Sequence, residues 1–463
     1  MWYSLIKIMA TSDIHKHKYL KCIKLAFIVG IFVWLSSWAF HITTDLNSAS
    51  SGPDERLRML VPTYIYEHHE LPTGYDQEAI YDKGNWSYAF YPQILGAATS
   101  ALFMTITDLI SSSDAGLVVP ARLASVVFGT ATVYVFGLFI RKLFASSRHA
   151  EIYSYAAMIM LAFWPQFAFL SGYVNNDIVA LFGVSLISYA SILGIKDGWH
   201  RLNSILLGFG FAICLLGYTN SYGFVLFGAL FFLITLLYQY KPLGFKKAWK
   251  PLLLVCLVPI IIAGPFYVRN AVIYDGDVLG LATFKERTTQ WENEHGERVQ
   301  ISYRQAGGGD VFDLLRDKDY LIRQQKSFTA YFGYMTINPP SQYVLIYRLV
   351  VLVGLVGFLS LFIKNIRNNT LKKNRKNVLL ALFFGFSSLI TFGLSVYYSL
   401  TIDSQPQGRY IIYLLIPLLV FCVVGLGFLI NKISYKRIRS LLVATILLLY
   451  IINSIIIFST YIA

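Results

Sequence analysis

The stretch YVNNDIVALFGVSLISYASILGI, residues 173–195, decides the fold. A polar knot, Tyr173-Val174-Asn175-Asn176-Asp177, gives way to an uncharged apolar run over 178–195. A helix crosses a bilayer with about 20 mostly apolar residues, so this run reads as a spanning helix entered from its polar end. The same pattern recurs along the 463-residue chain at roughly 25–43, 118–140, 152–173, 203–218, 222–240, 251–268, 343–363, 377–399, 409–430 and 440–461. With 178–195 these make eleven expected spans and an all-α, polytopic membrane protein. Composition agrees: hydrophobic residues are 56% and charged residues 14%, with a mean hydropathy of +0.56. Soluble domains carry about 25% charge, so a string of them is excluded. Four cysteines are too few for a disulfide scaffold.

The charges orient the spans. Net charge is +14, which in a soluble protein would suggest nucleic acid. Here 24 of the Lys and Arg residues fall in 1–24, 141–151, 196–201, 241–250, 364–376 and 431–439, beside only Asp13, Glu151 and Asp197. Cytoplasmic loops carry that excess, so these segments read as the inner face and the N-terminus as cytoplasmic in a plasma membrane. A nucleic-acid partner is not expected; anionic membrane lipids are. A twelfth apolar stretch, 88–110, contains Pro92 and Gly96. Only one crossing fits between the outer 44–87 and the basic 141–150, so 88–110 reads as a juxtamembrane or re-entrant helix in the first outer loop. The expected organisation is a cytoplasmic 1–24, a membrane module over 25–268 with its working loop at 44–117, an outer loop at 269–342 that is a candidate lid, and C-terminal spans over 343–463. The outer loop 269–340 carries Trp291, Arg304 and Gly307-Gly308-Gly309.

Three polar clusters fall on the outer face. In Pro53-Asp54-Glu55-Arg56-Leu57-Arg58 two adjacent carboxylates follow a Gly-Pro turn. That pattern suits a general base or a metal ligand, and equally a solvated helix start. In Val174-Asn175-Asn176-Asp177 an acid enters an apolar helix, which is costly unless it is paired, functional or an N-cap. In Gln407-Gly408-Arg409-Tyr410 an Arg opens a span from outside, against the positive-inside rule, where its guanidinium can grip phosphate. Gly408 lets a ligand approach the backbone closely. Arg122 and Arg348 also open spans near the outer face and either line a cavity or reach to headgroups. His68-His69-Glu70 lacks zinc-helix spacing and reads as a surface cluster. Asn85-Trp86-Ser87 fits a glycosylation sequon.

These clusters, in this order and on one face, resemble the GT-C superfamily of membrane glycosyltransferases, which includes protein O-mannosyltransferases, the aminoarabinose transferase of lipid A and the bacterial oligosaccharyltransferase. The resemblance covers roughly 24–200 and 400–430. It implies a polyprenyl-phosphate-linked sugar donor, an envelope glycan, lipid or protein acceptor, and inversion on the extracytoplasmic face. It implies Asp54 near the acceptor hydroxyl, with Glu55 supporting it. Asn175, Asn176 and Asp177 would position the acceptor. Gln407, Arg409 and Tyr410 would hold the donor phosphate, with Arg58 and Gly408 in support. A divalent cation, Mg or Mn, is expected at Glu55 and Asp177 if one is used. One departure stands out: a His commonly found three residues after the Glu is Arg58 here. Two rival readings are a polymerase or ligase using a diphosphate-linked lipid donor, and a flippase for lipid-linked sugar.

Overall fold

The 173–195 stretch becomes the most enclosed long helix of the protein, Asp177–Asp197. Its apolar window is 83% buried, against 17% for the C-terminal helix, so it stands at the centre and the other at the rim. The structure, a computed structural model, describes residues 13–110, 116–240, 248–370 and 374–462. Residues 1–12, 111–115, the basic 241–247 and 371–373, and 463 lie outside the described residues.

In chain order the helices are α1 Asp13–His41, α2 Glu55–His68, α3 Leu95–Ile110, α4 Val118–Leu143, α5 Ala150–Ala162, α6 Pro165–Leu170, α7 Asp177–Asp197, α8 Arg201–Gly217 and α9 Tyr222–Tyr240. Then come α10 Trp249–Ile262, α11 Gly264–Ile273, α12 Leu281–His295, α13 Val311–Arg316, α14 Lys318–Thr329, α15 Ser341–Arg367, α16 Arg375–Thr401, α17 Leu415–Asn431 and α18 Lys436–Ile462. Among the described residues the only β pairing is two isolated bridges, Tyr81 with Trp86 and Phe332 with Ile337. The fold is all-helical, as helices alone satisfy every backbone group within one segment in lipid.

Each expected span range holds apolar helix, but four differ in form. Among the described residues eight single helices are long and apolar enough to cross a membrane. The range 152–173 is two helices, α5 and α6, broken at Phe163-Trp164 because Pro165 starts a new helix and has no N–H for the old one. The range 251–268 is a pair, α10 and α11, bent by 47° next to Pro259 and Pro265. The range 203–218 is the 17-residue α8. The range 409–430 opens as a 3-10 turn, Gly408–Leu414, before α17 begins. The 88–110 stretch is helical only from Leu95, after short 3-10 turns at Gln77–Ala79, Lys83–Asn85 and Tyr88–Phe90.

Packing uses small residues. Gly183 lies against Cys214 and Gly217 against Ala180, so α7 and α8 touch almost backbone to backbone. Gly354 and Gly357 of α15 meet Cys422 and Gly425 of α17 in the same way. Trp38, Phe169, Phe332 and Tyr461 join the first helix, α6, the segment after α14 and the last helix in one aromatic cluster.

The outer segments pack on each other. Phe284 of α12 meets Trp86 edge-on at 4.8 Å and Tyr91 at 5.7 Å between ring centroids. The Thr288 hydroxyl donates to the Gly84 carbonyl at 3.1 Å. Gly280, which begins α12, has φ +69, and a β-carbon there would collide with the Phe90 carbonyl. The 269–342 segment therefore forms a wall seated on the first loop.

Candidate active site

The site is built where α2, α7 and the 3-10 turn before α17 begin. Gly52 sits flat on the Tyr173 ring, where a side chain would collide. The chain then turns through Asp54 in the left-handed region, φ +61. This conformation costs an L residue about 1–2 kcal/mol, least for Asp and Asn. Its effect is to separate two neighbouring carboxylates. Asp54 makes no side-chain cap to α2. Instead it receives Nη2 of Arg409, 355 residues away in sequence. Glu55 points into the protein, 0% exposed.

Arg409 is almost fully buried, with 4% of its side chain exposed against 32% for Asp54. It also donates to the Pro53 carbonyl at 3.1 Å and the Tyr410 hydroxyl at 2.9 Å, and its ring contact to Tyr410 is 4.9 Å. The Asp54 N–H donates to the Tyr334 hydroxyl at 3.3 Å. Burial pushes the Asp54 carboxyl up, but Arg409 and Arg58 outweigh it and hold the group below the usual carboxylate value. Asp54 is therefore an ionised carboxylate at neutral pH.

Glu55 serves Arg122. Its Oε1 accepts from Arg122 Nε at 2.8 Å and its Oε2 from Nη2 at 2.7 Å. Oε1 also accepts the Val174 N–H at 3.0 Å, which ties the first cluster to the second. Arg122 uses its remaining donors on the carbonyls of Ala39, Ile42 and Thr43. Arg122 thus neither lines the cavity nor reaches to headgroups.

The second cluster divides its labour. The Asn175 amide donates to the carbonyls of Leu170 and Tyr173, and its Oδ1 accepts the Ile178 N–H at 3.0 Å. Asn175, not Asp177, supplies the side-chain cap of α7. Asn176 donates to the Gln93 carbonyl at 3.4 Å and faces the cavity described below. Asp177 is fully buried; Oδ1 accepts from the Tyr413 hydroxyl at 3.1 Å, and Oδ2 has no partner among the described residues.

Arg58 stands one turn along α2 from Asp54. Its guanidinium lies between the rings of Tyr88 at 4.4 Å and Tyr218 at 5.6 Å. Nε and Nη1 are buried without a hydrogen-bond partner among the described residues. Burial opposes its charge, but Tyr88, Tyr218, Asp177 and Asp54 outweigh this and hold it above the ordinary arginine value.

Gly408 has a different use from the expected one. A β-carbon there would collide with the backbone of Phe328, and its N–H donates to the Ser327 hydroxyl at 2.5 Å. It lets α14 approach, not a ligand. Gln407 donates to Gln405 at 2.8 Å, which in turn holds Asp403, so it braces the turn.

Beside Asp54 opens a cavity of about 490 Å³, lined also by Asn176 and Tyr410. The first loop, α12 and the outer end of α16 form its walls. Sequence reasoning missed the aromatic residues Tyr88, Tyr218 and Tyr413, and saw Trp86 only as the middle of a sequon. His68, at the exposed end of α2, meets Glu78 at 2.5 Å; that hydrogen bond raises its pKa above the usual histidine value.

No protein-family model matches the chain, and no curated protein matches it significantly. Solved structures do match in fold. ArnT from Cupriavidus metallidurans bound to undecaprenyl phosphate has a TM-score of 0.55 at 13% identity, over 95% of this chain and 75% of that one. The archaeal oligosaccharyltransferase AglB from Archaeoglobus fulgidus, in complex with an inhibitory peptide and a dolichol-phosphate, has 0.53 at 15%, over 95% and 56%. The same Archaeoglobus fulgidus oligosaccharyltransferase in complex with Zn and sulfate has 0.51 at 14%, over 93% and 52%. The chain spans about half the length of the archaeal enzyme. The chain shares its fold with ArnT and the archaeal oligosaccharyltransferase.

Proposed function

We propose that the protein is a membrane glycosyltransferase that moves a sugar from a polyprenyl-phosphate donor to an acceptor hydroxyl at the outer face, with inversion. The observation that carries this reading is the Asp54–Arg409 pair beside the cavity, within a fold of the GT-C kind. A carboxylate that can take a proton stands against a cation that can hold a departing phosphate.

The acceptor hydroxyl oxygen attacks the anomeric carbon while its proton passes to an Asp54 oxygen. The bond from that carbon to the donor phosphate breaks, and the electron pair leaves with the phosphate. Arg409 neutralises it, steadied by Tyr410. Arg58, whose Nε and Nη1 have no hydrogen-bond partner among the described residues, supplies a second positive charge. Phosphate arriving at Arg409 competes with Asp54 for the guanidinium. The carboxylate is then freed and becomes more basic as the donor binds. Asp177 and Asn176 position the acceptor side, while Asn175 and Glu55 hold the loop in shape.

A divalent cation fits these residues poorly. Both Glu55 oxygens are engaged by Arg122, so Asp177 Oδ2 is the one free oxygen of the expected pair. Mg or Mn takes most of its ligands from water and substrate phosphate, so what the structure removes is the expected Glu55 ligand and not every possible site. Arg409 already pairs with Asp54, so the reaction at that carboxylate runs on the protein's own charges.

The basic segments put the N-terminus inside and the cavity outside. On this topology the enzyme sits in the plasma membrane, with 25–268 as the membrane module carrying its catalytic loop at 44–117, the 269–342 segment as the wall of the site, and 343–463 as the closing spans. The experiment is transfer by purified protein from polyprenyl monophosphate-linked and diphosphate-linked sugars. Product from the monophosphate donor is expected. Product only from the diphosphate donor would make the protein a polymerase or ligase. Labelled lipid crossing proteoliposomes with no new glycosidic bond would make it a flippase.

A further inference from the structure

The cavity beside Asp54 has a lining that indicates what it takes. It is about 490 Å³, within the range of small-molecule sites. Leu281 and Ile402 are its only aliphatic lining residues. Seven lining side chains are aromatic, and nearly all the rest are amides, hydroxyls or charged groups. A site for a fatty chain would be aliphatic. Flat aromatic faces alternating with amides and hydroxyls suit a sugar, whose rings carry apolar C–H faces and a rim of hydroxyls.

The Trp86 ring, fixed edge-on to Phe284, lines the cavity, while its indole N–H is buried with no partner among the described residues. Other polar ends of the lining are unused. Asn220, before α9, and Lys285, on α12, both line the cavity, and neither side chain is engaged by another described residue. We propose that this cavity binds a saccharide of more than one ring, gripped by Trp86, Asn220 and Lys285, and that it is the acceptor. The acceptor role rests on the transferase reading, because the bound saccharide must present a hydroxyl to Asp54, which lines the cavity.

The test uses the full-length protein in nanodiscs with no donor lipid. Saturation-transfer NMR is run against a panel of neutral, acidic and amino disaccharides, a hexapeptide and a lysophospholipid. A disaccharide is expected to take up saturation. Asn220→Ala and Lys285→Ala, which leave the aromatic packing intact, should each weaken it by about fivefold to tenfold, the effect of one lost hydrogen bond. Trp86→Ala should abolish it. The proposal is overturned if no disaccharide binds, if the peptide or the lipid is the ligand that competes at these residues, or if the Asn220 and Lys285 variants bind as the wild type does. A disaccharide that binds as expected but is never glycosylated from a polyprenyl-phosphate donor would overturn the transferase reading and leave the saccharide site standing.

Discussion

Glu55→Gln separates a strut from a catalyst. The Glu55 carboxylate carries two guanidinium bonds at 2.8 and 2.7 Å and one backbone N–H at 3.0 Å, with both side chains of the pair fully buried. A glutamine turns an NH₂ towards the Arg122 donors and leaves a buried positive charge unpaired. Breaking a buried pair on one side costs about 3–5 kcal/mol. Three carbonyl acceptors still hold Arg122, at 3.1, 2.7 and 2.7 Å, which places the cost near the lower end. Domains of 150–250 residues lose about 2–4 °C of Tm per kcal/mol, and a longer chain loses less, so a fall of roughly 3–8 °C is expected. The assay is thermal unfolding of purified protein in one detergent at one scan rate, with transfer measured per folded molecule at a lower temperature. Arg122→Met should cost a similar amount, and the double variant less than the sum. Full thermal stability with transfer abolished would refute the strut and return Glu55 to the reaction itself.

Arg409→Ala should weaken donor binding more than acceptor binding. It should also move the acid limb of kcat/KM upward, because burial of Asp54 is then opposed by Arg58 alone. The sign follows from the depressed wild-type pKa. The wild-type limb lies below the usual carboxylate range, and a variant limb no higher than the wild type's would contradict the coupling. Tyr413→Phe removes the only described hydrogen bond to the Asp177 carboxylate and should lower stability by about 1–3 kcal/mol, read in the same melts. Chelation with EDTA should leave the transfer rate unchanged; loss restored by Mg or Mn would contradict a reaction run without a metal.

The spans were legible because bilayer thickness imposes a length and a polarity that composition alone displays. Where they break was less so. Pro165 and Pro265 are visible in the sequence, but whether a proline kinks a span or ends it depends on what packs across the gap. The adjacency of Asp54 and Glu55 concealed opposite fates. A single left-handed residue turns one carboxylate to the cavity and the other to Arg122, and no spacing rule reports that φ. Gly408 was legible as a point of close approach, but the approaching partner, Phe328, comes from the outer segment that resembled nothing. Tyr88 and Tyr218 were invisible for a different reason. In a chain with 16% aromatic residues, no single ring announces that it flanks an arginine.

The central claim is that Asp54 takes the acceptor proton. It is tested by turnover of purified Asp54→Asn with a polyprenyl-phosphate-linked sugar, beside a measurement of donor binding and of Tm. Loss of a general base lowers the rate by about 10²–10⁴-fold. The account predicts that loss, with folding retained and donor still bound through Arg409. Wild-type turnover by the folded variant would contradict it.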